Sequence, residues 1–175
     1  MTHEDKWFTS QIRYGAELGY AMLQLPHIEL PAFNYERITY EPKQELHCSL
    51  LCTRKLAEIF QDPESVDSAI AAFVEEFVQE DPITFKGFTD KAYVCEEDEV
   101  KSIVIGAKVG GIDQLFIALR KKFPELATLA DPALHVTLYK YNHQFGIGIQ
   151  NEAQLRELCR PIPLNVLPAI IKEKI

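Results

Sequence analysis

No stretch of this 175-residue chain is apolar over the roughly 18 residues that a membrane-spanning helix requires. Positive charge is scarce. Lys and Arg number 18 against 26 Asp and Glu, a formal net charge of −8. Such a surface repels polyanions at long range, and proteins that coat duplex DNA or long RNA gain affinity by neutralising many phosphates. This argues against a duplex DNA partner but leaves room for a small anionic ligand in a local basic pocket. With 8 Gly and 10 Pro and no sustained heptad, collagen, coiled coil and wholesale disorder are set aside. The four cysteines (Cys48, Cys52, Cys95 and Cys159) contain no CxxC spacing. The opening segment, Met1–Phe8, is too polar and acidic to read as a secretory signal. The expectation is a cytoplasmic protein with reduced thiols, without membrane partners and monomeric.

Apolar residues make up 47% and charged residues 25%, which suits one globular domain spanning residues 1–175. Phe8, Ile12 and Ala16 share a face if residues 3–18 form a helix capped by Thr2. Residues 19–26 read as a buried strand closed by Pro26. Residues 27–45 read as loop, with one edge strand near residues 37–40. Residues 46–53 read as a strand. Val66, Ile70, Phe73, Val74, Phe77 and Val78 recur at helical spacing after Asp62-Pro63, which predicts an amphipathic helix ended by Asp81-Pro82. Three strands are expected at 83–88, 91–95 and 101–109. Gly110-Gly111 then breaks the pattern. A second amphipathic helix over 112–122 carries Ile112, Leu115, Phe116 and Leu119 and ends in three cations that complement its dipole. Residues 134–141 and 145–149 read as strands, Asn151 caps a helix reaching Cys159, and the last residues suggest closing strands. The class is α+β, with helices covering one face of largely antiparallel sheets.

Two segments repeat one pattern. Leu46-His47-Cys48-Ser49-Leu50 and Leu134-His135-Val136-Thr137-Leu138 both read apolar, His, apolar, hydroxyl, apolar. Residues i and i+2 of a strand point to the same side, so each strand presents an imidazole beside a hydroxyl while its neighbours face the core. That pairing suits a phosphodiester. Imidazoles titrate near neutrality, so one can take a proton while the other gives one, and hydroxyls can donate to the non-bridging oxygens. The chemistry requires no metal or cofactor. A single His-x-Thr strand is usually structural; it is the doubling that carries the inference. His3, His27 and His143 lack the pattern and read as surface residues.

On these residues the chain resembles the 2H phosphoesterase superfamily, named for its two H-x-[ST] motifs. The superfamily includes the bacterial RNA 2′,3′-cyclic phosphodiesterases (formerly 2′-5′ RNA ligases) and the plant and fungal cyclic phosphodiesterases. The order of the expected elements from residue 19 to residue 141 and the separation of the two motifs agree with that family. The resemblance implies a two-lobed, pseudo-symmetric fold with helices on the outer faces and a central cleft. It implies that His47 and His135 are catalytic and that Ser49 and Thr137 bind substrate, His47 protonating the leaving oxygen and His135 activating water, although pseudo-symmetry makes the two histidines interchangeable in these roles. Many members carry a base three positions after the second hydroxyl; here that is Lys140, which the resemblance implies pairs with the substrate phosphate, the alternative being a solvated edge charge, since strand alternation turns it away from Thr137 unless a bulge intervenes. The implied substrate is a small nucleotide or an RNA terminus: a 2′,3′-cyclic phosphate, an ADP-ribose cyclic phosphate, a 2′-5′ oligonucleotide or a cyclic oligonucleotide.

A nucleotide needs a stacking surface. Tyr139, in phase with His135 and Thr137, leads the candidates over Tyr141, Phe85, Phe88, Phe33 and Tyr40. Zinc binding by His47, Cys48 and Cys52 is disfavoured because strand neighbours point apart. A Cys48 nucleophile is disfavoured because Cys48 alternates to the core side. Gly106, Gly110 and Gly111 do not form a phosphate loop. The alternative of another class is a protein that binds a nucleotide or RNA end on the same fold without turnover; its mark would be a lost histidine, and both are present.

Overall fold

The computed structural model describes residues 11–13, 21–143 and 147–175. Among them, nine strands and five helices make an α+β architecture dominated by one large antiparallel sheet. The strands are β1 (Gln11–Arg13), β2 (Ala21–Gln24), β3 (Phe33–Tyr35), β4 (Ile38–Pro42), β5 (His47–Leu51), β6 (Thr84–Glu97), β7 (Val100–Gly110), β8 (His135–Tyr141) and β9 (Cys159–Ile162). The helices are α1 (Thr53–Ala57), α2 (Pro63–Glu80), α3 (Ile112–Lys122), α4 (Glu152–Leu158) and α5 (Ala169–Lys172). Sheet order is β1-β2-β5-β8-β7-β6-β9, so β5 and β8 lie side by side at its centre. Strand β4 joins β8 beyond the end of β5, pairing Pro42 with Tyr139.

The amphipathic patterns explain the layers. Helix α2 begins where the Asp62 carboxylate accepts from the Ser65 amide. It buries Ile70, Ala71 and Val74 and leaves Glu64, Glu75 and Glu76 in solvent. Helix α3 starts at Gly111, whose φ of 88° suits glycine and where a Cβ would meet the Pro82 carbonyl. It buries Ile112, Leu115, Phe116 and Leu119. These residues join Cys48, Leu50, Ile103, Ile105, Val136 and Leu138 in the main core on one side of the sheet. A smaller core on the opposite side gathers Cys95, Val104, Ala133, Ile147, Ile149 and Leu155. Among the described residues no helix is long and apolar enough to cross a membrane.

Several expectations are corrected. Gln11–Arg13 is not helical; it pairs with β2, placing Ile12 opposite Leu23. The rest of the expected helix over 3–18 lies outside the described residues. Residues 33–42 form a hairpin rather than loop with one edge strand, turning at Glu36 and Arg37 with positive φ. The strands expected at 83–88 and 91–95 are one strand, because the polar residues between them are absorbed by a register shift between Phe88 and Ala92. Residues 147–150 are not strand, and Phe145 and Gly146 lie outside the described residues. The closing strands are replaced by a 3-10 turn at Leu164–Val166 and by α5, since Pro163 and Pro168 lack the amides a ladder needs. Finally, Cys95 and Cys159 are joined by a disulfide, contrary to the expectation of reduced thiols. They are direct cross-strand partners of β6 and β9. Neither Cys48 nor Cys52 takes part in that disulfide.

Candidate functional site

Strands β5 and β8 pair antiparallel with Cys48 opposite Val136. Both residues are fully buried and face the main core. One residue on in either direction, the same register sets His47 across from Thr137 and Ser49 across from His135. All four therefore turn to the other face, and all four line one cleft of about 470 Å³. The structure thus brings together the two imidazoles and two hydroxyls of the repeated pattern. It also turns Cys48 away from them and, by burial, pushes its thiol up to about 12.

Each motif strand makes the same ladder with its outer neighbour. Gln24, Leu23 and Met22 pair with His47, Cys48 and Ser49, after which Ala21 pairs with Leu51 and Leu50 is passed over. Gly106, Ile105 and Val104 pair with His135, Val136 and Thr137, after which Ile103 pairs with Tyr139 and Leu138 is passed over. Each strand therefore bulges at the leucine after its hydroxyl, and the alternation changes phase there. The carbonyls before the two histidines match too: Leu46 accepts from the Leu25 amide and Leu134 from the Ala107 amide.

The second bulge decides where Tyr139 and Lys140 go. Tyr139 does not continue the face of His135 and Thr137. It is fully buried on the core side, stacks on Phe33 with centroids 5.0 Å apart, and donates its hydroxyl to the Pro31 carbonyl at 2.9 Å. Burial pushes that phenol up to about 12. The stacking role expected for Tyr139 is thus corrected. Phe33, Tyr40, Phe85 and Phe88 are core residues as well, and none of them nor Tyr141 lines the cleft. Among the described residues, the phenyl ring that does is that of Phe116 of α3. Lys140 is returned to the side of Thr137, where its ammonium lies 3.8 Å from Glu41, outside the cleft lining.

His135 is 9% exposed. Its Nδ1 lies 2.6 Å from the Ala133 carbonyl oxygen. A carbonyl only accepts, so Nδ1 carries the hydrogen and Nε2 is left as the ring's lone-pair nitrogen. Burial lowers the imidazole pKa from its ordinary value, and the bond to Ala133 offsets part of this. His135 is therefore a neutral imidazole at neutral pH. The segment leading into it is held by Arg120, which donates from Nε and Nη2 to the Leu129 carbonyl at 3.0 and 2.7 Å and from Nη2 to Asp131 at 2.7 Å.

Sequence reasoning passed over both lysines of the cleft, Lys43 and Lys55. Lys43 lines the same cleft as the histidines. Its amide donates to the Leu138 carbonyl at 2.9 Å, which fixes it against β8 just past Thr137. Burial, then the nearby Lys140 ammonium, lowers its pKa, with Glu45 acting the other way. Nothing in the sequence distinguishes Lys43 from other loop lysines; only the junction of β4 with β8 puts it there. Comparison of the chain with models of protein families, with curated proteins and with solved structures finds no match.

Proposed function

We propose that this chain is a metal-independent phosphodiesterase of the 2H phosphoesterase kind, hydrolysing a cyclic or 2′-5′-linked nucleotide phosphodiester. The observation that carries this reading is the cross-strand square formed by His47, Ser49, His135 and Thr137 on one wall of a cleft. The identical ladders and bulges of the two motif strands support a pseudo-symmetric, two-lobed arrangement in which each half contributes one imidazole and one hydroxyl.

The ring nitrogens of His135 favour the role of base for it, and the role of acid is then assigned to His47. Neutral His135, with Nε2 as acceptor, takes a proton from the attacking water. The water oxygen bonds to phosphorus in line with the leaving oxygen as the bond to that oxygen breaks. Protonated His47 gives its proton to the leaving oxygen. Ser49 and Thr137 donate to the non-bridging oxygens as charge builds there. One proton enters at His135 and one leaves from His47, so the pair resets by exchange with solvent.

The test is hydrolysis, each with EDTA, of nucleoside 2′,3′-cyclic phosphates, ADP-ribose 1″,2″-cyclic phosphate, 2′-5′ diadenylate and a cyclic dinucleotide. At least one is turned over with EDTA present. His47→Ala and His135→Ala each lower kcat by about 10²–10⁴-fold, and the double variant is little worse than either single one. Ser49→Ala and Thr137→Ala cost about ten- to a hundredfold. Turnover abolished by EDTA and restored by zinc or magnesium overturns the metal-independent mechanism. Near wild-type turnover in either histidine variant makes the cleft a binding site instead.

A further inference from the structure

The four motif side chains already account for one scissile phosphate, yet the cleft holds two further cations, Lys43 and Lys55, and no Asp or Glu among its described lining residues. This concentration of positive charge stands in a chain whose net charge is −8. The two lysines sit at opposite ends of the square. Lys43 abuts β8 next to the His47 and Thr137 end. Lys55, on α1 beyond Leu51, is exposed at the Ser49 and His135 end. Lys43 is half-buried and makes no ion pair among the described residues, whereas Lys140 is paired with Glu41. A half-buried ammonium beside another cation bears a desolvation cost that an incoming anion relieves.

We propose that the cleft takes a phosphodiester carrying a second phosphate on its leaving-group side, and that Lys43 holds that second phosphate. The side follows from the square: Lys43 stands next to His47, which hands its proton to the leaving oxygen, and not next to His135, which faces water. This rests on the phosphodiesterase reading above. It narrows the substrate class to a nucleotide bearing one phosphate more than the diester that is cut. In a nucleoside 2′,3′-cyclic phosphate the leaving oxygen belongs to the nucleoside, so the second phosphate is the one on its 5′ carbon.

The experiment compares adenosine 2′,3′-cyclic phosphate with the same compound phosphorylated at its 5′ oxygen. The wild-type protein has a KM lower by about ten- to a hundredfold for the 5′-phosphorylated compound, the worth of one charge-assisted contact. Lys43→Met brings the two KM values together, and Lys43→Arg keeps them apart. Equal KM values in the wild type, or a Lys43→Met change that raises both KM values alike, overturns the proposal. If neither compound is hydrolysed, the phosphodiesterase reading fails. Calorimetric titration of both then decides the anion site separately: a preference lost in Lys43→Met upholds it, and equal or absent binding overturns it. If Lys43→Met does not fold, Lys43→Gln takes its place, and the wild-type comparison stands without either.

Discussion

At His135, a 9% exposed imidazole whose Nδ1–H is committed to Ala133, burial bears on the proposed role of base. Its pKa lies below the ordinary 6.5, with desolvation as the main cause. A base must be unprotonated, so the acidic limb of kcat/KM falls below pH 6.5; a limb above that value contradicts the assignment of His135 as base. The same shift has a thermodynamic counterpart. The unfolded chain binds this proton near pH 6.5, whereas the folded chain binds it only at lower pH. Stability from His135 is therefore fully present above pH 6.5 and is lost as pH falls below it toward the folded value. Urea midpoints measured at pH 7.5 and 5.5 show a larger loss in the wild type than in His135→Gln.

The elements around the site are shaped by irregularities that regular pattern-reading does not contain. The bulge at Leu138 turns Tyr139 into the core, where its hydroxyl bonds to Pro31. Tyr139→Phe therefore lowers unfolding free energy by about 0.5–1.5 kcal/mol and leaves KM for a nucleotide unchanged; a KM increase without destabilisation shows ligand stacking instead. Gly106, the ladder partner of His135, lies opposite the register shift in β6, and the Thr89 side chain occupies the space its Cβ would take. Gly106→Ala costs about 1–3 kcal/mol by overpacking. Adding Thr89→Ala recovers most of it, as chemical denaturation of the two variants tests. Absence of recovery means that the glycine answers a backbone need rather than a packing one.

Across the whole molecule, the disulfide between Cys95 and Cys159 ties β9 to β6 and closes a loop with a sequence separation of 64. Such a link typically stabilises by about 2–4 kcal/mol. Replacing both cysteines by serine, or reducing the bond, lowers the unfolding free energy by that order, measured by denaturation with and without reductant. Equal stability in both conditions shows that the bond does not form in solution. Cys95 also packs in the smaller core with Ile147 and Ile149, which line the cleft. The double variant accordingly raises KM as well, while substitution of Cys48 or Cys52 leaves the redox response intact.

The chain's local pattern by itself determined α2, α3, the two motif strands and the side to which His47, Ser49, His135 and Thr137 turn. Strand alternation and helical periodicity are properties of neighbours in sequence, and the alternation of each motif strand holds from its histidine to its hydroxyl. Tertiary structure decided what depends on residues far apart. The meeting of β5 and β8, which sets Cys48 opposite Val136 at a sequence separation of 88, is a pairing choice that no local pattern encodes. The phase change at Leu138, which sends Tyr139 inward and Lys140 back to the side of Thr137, arises from the ladder with β7 rather than from β8 alone. Lys43 enters the cleft because β4 continues the edge that β5 leaves open. Cys95 meets Cys159 because β9 returns to the outer edge of β6. Each of these is a contact between segments, and its energy exists only once the sheet has assembled.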